Sequence, residues 1–129
     1  MRTECFCLER DNKKVMVFDF KVYKSRASML RAARRRAPIY SKYTPEAVFN
    51  WSLPKKGDHL DAILFFHEDY LNEQIVAHEI MHAVCTIYEH LFPSRNFITD
   101  EAHQEDACRL MQEITQTFWE WWREEEGDK

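Results

Sequence analysis

The chain has few of the residues that break regular structure. Its 129 residues include only two glycines and four prolines, which argues against a disordered or low-complexity protein. No apolar run approaches the roughly 18 residues that a membrane-spanning helix needs, and the start, MRTECFCLERDNKK, is too polar for the core of a signal peptide. The four cysteines show no disulfide-framework spacing. We therefore expect a cytoplasmic protein with reduced thiols and no membrane contact.

What the chain does contain is enough apolar material for one core. Hydrophobic residues make up 45% of the sequence and aromatic residues 14%, and a chain of this length buries roughly two-thirds of its unfolded surface. We predict a single domain over residues 1–129. Strands and an arginine-rich helix are expected in about 1–59, the functional core in about 60–123, and a frayed acidic tail at 124–129.

The first third of the chain predicts a hairpin and a helix. Residues 5–8 and 15–23 surround the polar turn ERDNKK, and apolar and polar residues alternate in the second of these segments, which indicates two strands with one apolar face. The helix that follows, RASMLRAARRRAP, is expected to be capped by Ser25 or Ser28 and to end near Pro38.

A second strand pair is predicted at residues 46–53 and 60–67, joined by the turn PKKGD. The second of these strands is apolar almost throughout. It is either the place where an extended peptide adds a strand to the sheet or an ordinary central strand. Together with helices at 72–91 and from 100 to about 123, these strands predict an α+β fold.

Residues 72–91, NEQIVAHEIMHAVCTIYEHL, carry the most informative pattern. His78, Glu79 and His82 stand in the order HExxH, and one helical turn separates the two histidines, so that both imidazoles leave the same face and can bind one tetrahedral zinc ion. Glu79 lies beside them, where a carboxylate can take the proton of a zinc-bound water. Asn72, or Asp69 before it, is the expected N-cap.

A third ligand is expected from the last helix. Its apolar positions fit a stripe that extends backwards to a carboxylate at Glu105 and another at Glu101. We prefer Glu105 as the ligand, with Glu101 as the alternative, and the other carboxylate would then support a zinc-bound imidazole. His103 is predicted to lie off this stripe and is a third choice. The stripe consists of Cys108, Met111, Thr115, Phe118 and Trp122.

The segments AILFF, VAHEIMHAV and EDACRLMQEI resemble the small zincin metallopeptidases of phages and mobile elements, a gluzincin-like group that includes the ImmA/IrrE-type proteins. The resemblance covers about residues 60–115. It implies a minimal zincin-like domain, in which a small antiparallel or mixed sheet packs on the HExxH helix and a long C-terminal helix. It also implies His78, His82 and Glu105 as zinc ligands and Glu79 as the base.

The expected activity is zinc-dependent hydrolysis of peptide bonds in a peptide or protein substrate. A group that stabilises the oxyanion is also expected, and the sequence does not rank Tyr70, Tyr88, His90 and His103 for that role. The first alternative is a non-catalytic zincin-like module, in which a structural metal is closed by four protein ligands. Such a module would bind a protein partner through the aromatic C-terminal helix, FWEWW.

A cluster of arginines supplies the second alternative, a nucleic-acid-binding protein. Arginines on one helix can contact phosphates, but such charges more often form a solvated helix face, and no base-reading motif accompanies them. Nucleic acid is therefore not expected to be the main partner. The cluster consists of Arg31, Arg34, Arg35 and Arg36.

Overall fold

A computed structural model of the chain describes residues 1–36, 45–52, 59–91 and 101–127. A four-stranded mixed sheet and three helices confirm the predicted α+β class. A short 3-10 helix, Glu68–Tyr70, joins the last strand to the second helix. The elements are β1 (Arg2–Arg10), β2 (Lys13–Tyr23), α1 (Arg26–Arg36), β3 (Val48–Ser52), β4 (Leu60–His67), α2 (Glu73–Leu91) and α3 (Glu101–Gly127).

The sheet has the strand order β1-β2-β4-β3. The two predicted hairpins are antiparallel pairs, β1 with β2 and β3 with β4. Between them, β2 and β4 run parallel, which places Met16 opposite Leu60 and Tyr23 opposite His67. The apolar strand β4 is therefore central, which confirms the second of its two interpretations. The strand at the sheet edge next to α2 is β3 and not β4, so an added peptide strand on this side would pair with β3.

Local signals account for the turn and for two of the helix starts. Asp11 and Asn12 both have positive φ, at 54° and 64°, as a two-residue type I′ hairpin turn requires. Ser25 caps α1, because its hydroxyl accepts the N–H of Ser28 at 3.1 Å. Asn72 caps α2 by accepting the N–H of Ile75 at 2.9 Å. The predicted stop at Pro38 and the turn at 54–58 lie outside the described residues.

The sheet is covered on both faces. On one face, α2 and α3 pack against even-numbered residues of β2 and β4, such as Phe20 and Phe66. On the other face, α1 packs through Met29 and Ala33 against Ile63 and Phe65 of β4, among others. The central strand is buried from both sides, which explains why its sequence is continuously apolar rather than alternating.

One carboxylate joins three elements on the α1 side of the sheet. Glu46, just before β3, lies 2.8 Å from Nε2 of the buried His67 at the end of β4. Its other oxygen lies 2.5 Å from Arg26, the first residue of α1. The start of β3 is thus fixed both to the strand that leads into α2 and to α1.

The buried stripe of α3 differs from the predicted one. Cys108 is exposed and Met111 is half-buried, and Glu101 and Glu105 are exposed. The sequence contains two overlapping apolar stripes, since residues 110 and 111, like 121 and 122, are both apolar, and the core uses the one that includes the small residue at 107. Its members are Ala107, Leu110, Ile114, Phe118, Trp121 and Trp122.

The C-terminal aromatic residues are mostly internal. Trp121 and Trp122 are buried, and Trp119 is partly buried against the same core. The protein partner predicted for this helix stays a prediction, and the aromatic face that was its basis is largely covered. α3 continues to Gly127 and so includes the first part of the tail at 124–129, whose fraying stays a prediction. Within the described ranges, no helix combines the length and apolar character that crossing a membrane requires.

Candidate metal centre

The paired imidazoles leave α2 on one side, near the sheet edge. His78 and His82 are both exposed, while Val76, Ile80 and Ala83 of the same helix are fully buried in the core. The Nε2 atoms of the two histidines are 3.2 Å apart. The predicted i and i+4 arrangement therefore brings two imidazole nitrogens together at the surface.

Glu79 completes a group of three potential ligands. One ligand atom from each of His78, Glu79 and His82 lies within 4.8 Å of the other two, and this group could bind a metal ion. Glu79 is buried, with only 7% of its surface exposed. Two zinc–nitrogen bonds of about 2.0–2.1 Å at a tetrahedral angle separate the nitrogens by about 3.3 Å. The 3.2 Å between the imidazoles fits that separation.

The surroundings shift the pKa values of Glu79 and His82. Burial raises the pKa of the Glu79 carboxyl, and the neighbouring His78 offsets part of that rise. Burial, together with the charge of His78, lowers the pKa of His82. A carboxylate with a raised pKa is a stronger base, and an imidazole with a lowered pKa stays neutral, as a metal ligand must be.

Aromatic residues of β3 lie against histidines of α2. The ring of Phe49 is nearly parallel to that of His82, with centroids 6.2 Å apart. Trp51 follows Phe49 by two residues on the same face of β3, and the centroid of its ring lies 4.3 Å from that of His90. Phe49 was not among the predicted site residues, since nothing in its local sequence connects it to a position 33 residues later. The only signal in the sequence is that Phe49 and Trp51 are two residues apart, which places both on one face of β3.

Tyr88 has a structural partner. Its hydroxyl donates to the carboxylate of Asp106 on α3 and also lies 3.2 Å from the carbonyl oxygen of His103. Tyr88 follows His82 by six residues, so at about 100° per residue the two side chains leave α2 in directions about 120° apart. Tyr88 therefore faces α3 while His82 faces β3, and the predicted role of Tyr88 as an oxyanion donor gains no support from this placement.

The predicted third ligands do not join the group. Glu101 and Glu105 are exposed on α3, and neither belongs to the three-residue cluster, which is the one metal-ligand group of its kind among the described residues. His103, expected to lie off the inward stripe, is instead half-buried, with its ring 6.4 Å from that of Tyr88. It does not belong to the cluster either. The identity of the third ligand stays a prediction.

The other features of interest lie on the far side of the sheet. A groove of about 300 Å³ opens between the end of α1 and one face of the sheet, and its lining includes Cys5, Asp19, Arg36 and Asp61. The strands β1, β2 and β4 face it mainly with odd-numbered residues, and β3 faces it with the even-numbered Asn50 and Ser52. Because odd-numbered and even-numbered residues of a strand face opposite ways, this groove is separated from the imidazole pair by the sheet itself.

In comparisons with known proteins, no family model, no curated protein and no solved structure matched this chain. The resemblance drawn from three short segments therefore stays a prediction. What can be said about function depends on the geometry of the site.

Proposed function

We propose that this chain is a zinc-dependent hydrolase of peptide bonds. The observation that carries the proposal is the 3.2 Å separation of the His78 and His82 Nε2 atoms with the Glu79 carboxylate beside them. Two exposed imidazoles and a buried carboxylate are a donor set suited to zinc rather than to magnesium or calcium, which prefer oxygen ligands.

The two histidines and the glutamate would have different roles in this reaction. His78 and His82 would hold the metal through their neutral imidazoles. A bound zinc ion lowers the pKa of water and polarises a carbonyl group. Glu79, whose pKa burial raises, would accept a proton from the attacking water and later deliver it to the leaving amine.

Glu105 remains the proposed third ligand and Glu101 the alternative. Both belong to the first turns of α3, and both are exposed. Because neither lies in the His78–Glu79–His82 group, the start of α3 would have to approach the imidazole pair for either carboxylate to bind the metal. Catalytic zinc sites usually have three protein ligands and one open position. A third carboxylate ligand would leave that position available to substrate.

A peptide substrate is favoured by the sheet edge beside the site. β3 pairs with β4 on one side, and no described strand pairs with its other side. An extended peptide can add to such an edge through main-chain hydrogen bonds. Phe49, on this strand, lies next to His82, so that a peptide bound to β3 would run past the imidazole pair.

Metal content tests the ligand assignment. Purified wild type is expected to contain one zinc ion per chain by elemental analysis, and His82→Ala is expected to lose it. His90→Ala is the matched control, because His90 is also exposed on α2 and also lies against an aromatic ring of β3. Glu105→Gln and Glu101→Gln, analysed in parallel, distinguish the third ligand from the bystander.

Cleavage tests the mechanism. A peptide library incubated with the zinc-loaded protein and read by mass spectrometry is expected to show cleaved products. Glu79→Gln should retain zinc and lose activity by roughly 10²–10⁴-fold, the usual contribution of a general base. Glu89→Gln, an exposed change on the same helix, should remain active.

Two results would overturn the proposal. One is a wild-type protein that binds no zinc under any loading condition. The other is cleavage that persists unchanged in Glu79→Gln. A zinc site closed by a fourth protein ligand, with no cleavage of the library, would favour the structural-metal alternative instead.

A further inference from the structure

β1 forms the opposite edge of the sheet from β3. It pairs with β2 on one side, and within the described part of the chain no strand pairs with its other side. The N–H of Cys5 donates to the side-chain carboxylate of Glu4 at 3.1 Å and so points away from β2. Because backbone groups alternate along an antiparallel strand, the amides of Thr3 and Cys7 point the same way. Such a row of outward groups can pair with another strand.

The sequence of β1 is nearly self-complementary when read antiparallel to itself. The strand is RTECFCLER, with charges near both ends and apolar residues in the middle. Since the outward amides belong to odd-numbered residues, two copies must pair odd with odd, which allows registers centred on Cys5, Phe6 or Cys7. These three registers differ in what they place opposite the charged residues.

The register centred on Cys7 is favoured. It places Glu4 opposite Arg10 of the second copy, and Phe6 opposite Leu8 of the second copy, each twice by symmetry. Centring on Phe6 instead places Arg2 opposite Arg10 and Glu4 opposite Leu8. Centring on Cys5 places Arg2 opposite Leu8 and Glu4 opposite Phe6. Only the first register puts opposite charges and apolar side chains across from each other, which is what stabilises cross-strand pairs.

We propose that a second copy of this chain docks on β1, antiparallel and centred on Cys7, to form one continuous eight-stranded sheet. This inference does not depend on the proposed function. The strand is regular enough to pair, because the irregularity near Leu8 places its extra residue on β2. Phe6 is only partly buried against the core, so that part of its ring remains available to the second copy. Leu8 is fully buried in its own subunit, so the preference for this register depends mainly on the pairing of Glu4 with Arg10.

The charged residues of β1 can change partners. The carboxylate of Glu4 now accepts the N–H of its own neighbour, and in the dimer a main-chain carbonyl would take that role. Arg10 pairs with Glu113 at 2.6 Å, and both side chains are more than a third exposed, at 35% and 41%, so that water screens this pair. One strand per subunit buries less surface than a standard interface, and a concentration-dependent dimer is therefore expected.

Sedimentation velocity over a concentration series, with reductant present, tests the association. Wild type is expected to shift from monomer to dimer. Glu4→Arg should weaken the dimer by about tenfold, since it replaces two attractive pairs by two repulsive ones. The double variant Glu4→Arg with Arg10→Glu restores opposite charges and should recover most of the affinity. Glu9→Arg, the matched control, makes the same charge change opposite Cys5 and should have little effect.

Cross-linking tests the register. A variant that retains only Cys7, with alanine at Cys5, Cys85 and Cys108, should form a disulfide-linked dimer under mild oxidant, because directly opposite Cα atoms lie about 5.5 Å apart. A variant that retains only Cys5 should not. Circular dichroism checks that each variant is folded. A wild type that stays monomeric at every concentration, a dimer unaffected by Glu4→Arg, or preferential linkage through Cys5 would each overturn the proposal.

Discussion

The imidazole of His82 on α2 lies nearly parallel to the ring of Phe49 on β3, with an interplanar angle of 12°. This contact joins the helix that carries both candidate metal-binding histidines to the edge strand of the sheet. We expect the phenyl ring to limit the rotation of this exposed imidazole and so to favour the 3.2 Å separation between its Nε2 atom and that of His78.

Removal of that ring should weaken metal binding. Phe49→Ala is expected to lower zinc affinity by roughly tenfold, the lower end of what groups that orient a ligand contribute, because the imidazole must then be ordered by the metal alone. Competition against a chromogenic chelator measures the change. Trp51→Ala, which removes the ring against His90, is the control and should leave zinc affinity unchanged. Equal losses in the two variants would contradict this role for Phe49.

The raised pKa of Glu79 predicts how the metal-free protein responds to pH. Burial raises this pKa. At pH values between the ordinary and the raised pKa, the folded chain therefore still holds a proton on Glu79 that the unfolded chain has released. Stability should therefore fall as pH rises through that interval. Urea unfolding of chelator-treated protein at a series of pH values measures the slope. Glu79→Gln should reduce the slope and be more stable than wild type at neutral pH, and identical curves would contradict the prediction.

The lowered pKa of His82 should keep this imidazole available to a metal in mildly acidic solution. Zinc requires neutral imidazoles, and burial with the charge of His78 keeps the pKa of His82 below its ordinary value. Affinity should be nearly constant well above about pH 6.5, the ordinary value for histidine, and should fall at lower pH, where His82 gains a proton. Chelator competition from acid to neutral pH checks this. A loss of affinity that begins above neutral pH would be inconsistent with it.

Tyr88 and Asp106 should contribute to stability and not to turnover. The Tyr88 hydroxyl is buried and donates to the Asp106 carboxylate between α2 and α3. Tyr88→Phe removes the donor and leaves the acceptor partly desolvated, so we expect a loss of about 1–3 kcal/mol in the free energy of unfolding. Zinc content and the turnover number of the folded protein should not change. A large fall in turnover without loss of stability would instead support the predicted oxyanion role.

The sequence was most informative where the signals are local. Asn72 and Ser25 were each one of two expected helix caps, beside Asp69 and Ser28, because short polar side chains satisfy the first free N–H groups, and both do so. The i and i+4 spacing of His78 and His82 similarly determines, through helix geometry alone, that the imidazoles meet. Each of these features depends on a few neighbouring residues, so no knowledge of the tertiary structure was needed.

The features that the sequence did not predict depend on packing between distant segments. Two apolar stripes overlap on α3, and only packing against α2 and the sheet selects the one that contains Ala107 and Leu110. Choosing the other stripe made Glu105 seem to face the core. The contact between Phe49 and His82 also arises only because β3 forms the edge beside α2. Sequence periodicity describes one element at a time and contains no information about which face meets which neighbour.

The carboxylate of Glu46 gives residues remote from the imidazole pair influence over it. Glu46 lies on the α1 side of the sheet, where it holds the start of β3 through His67 and Arg26. Phe49 is only three residues further along the chain. A substitution such as Glu46→Gln, or a molecule that displaced Arg26, would loosen the strand and with it the ring that steadies His82. The candidate metal site would thus be sensitive to changes behind the sheet, without any change in the three residues that could bind an ion.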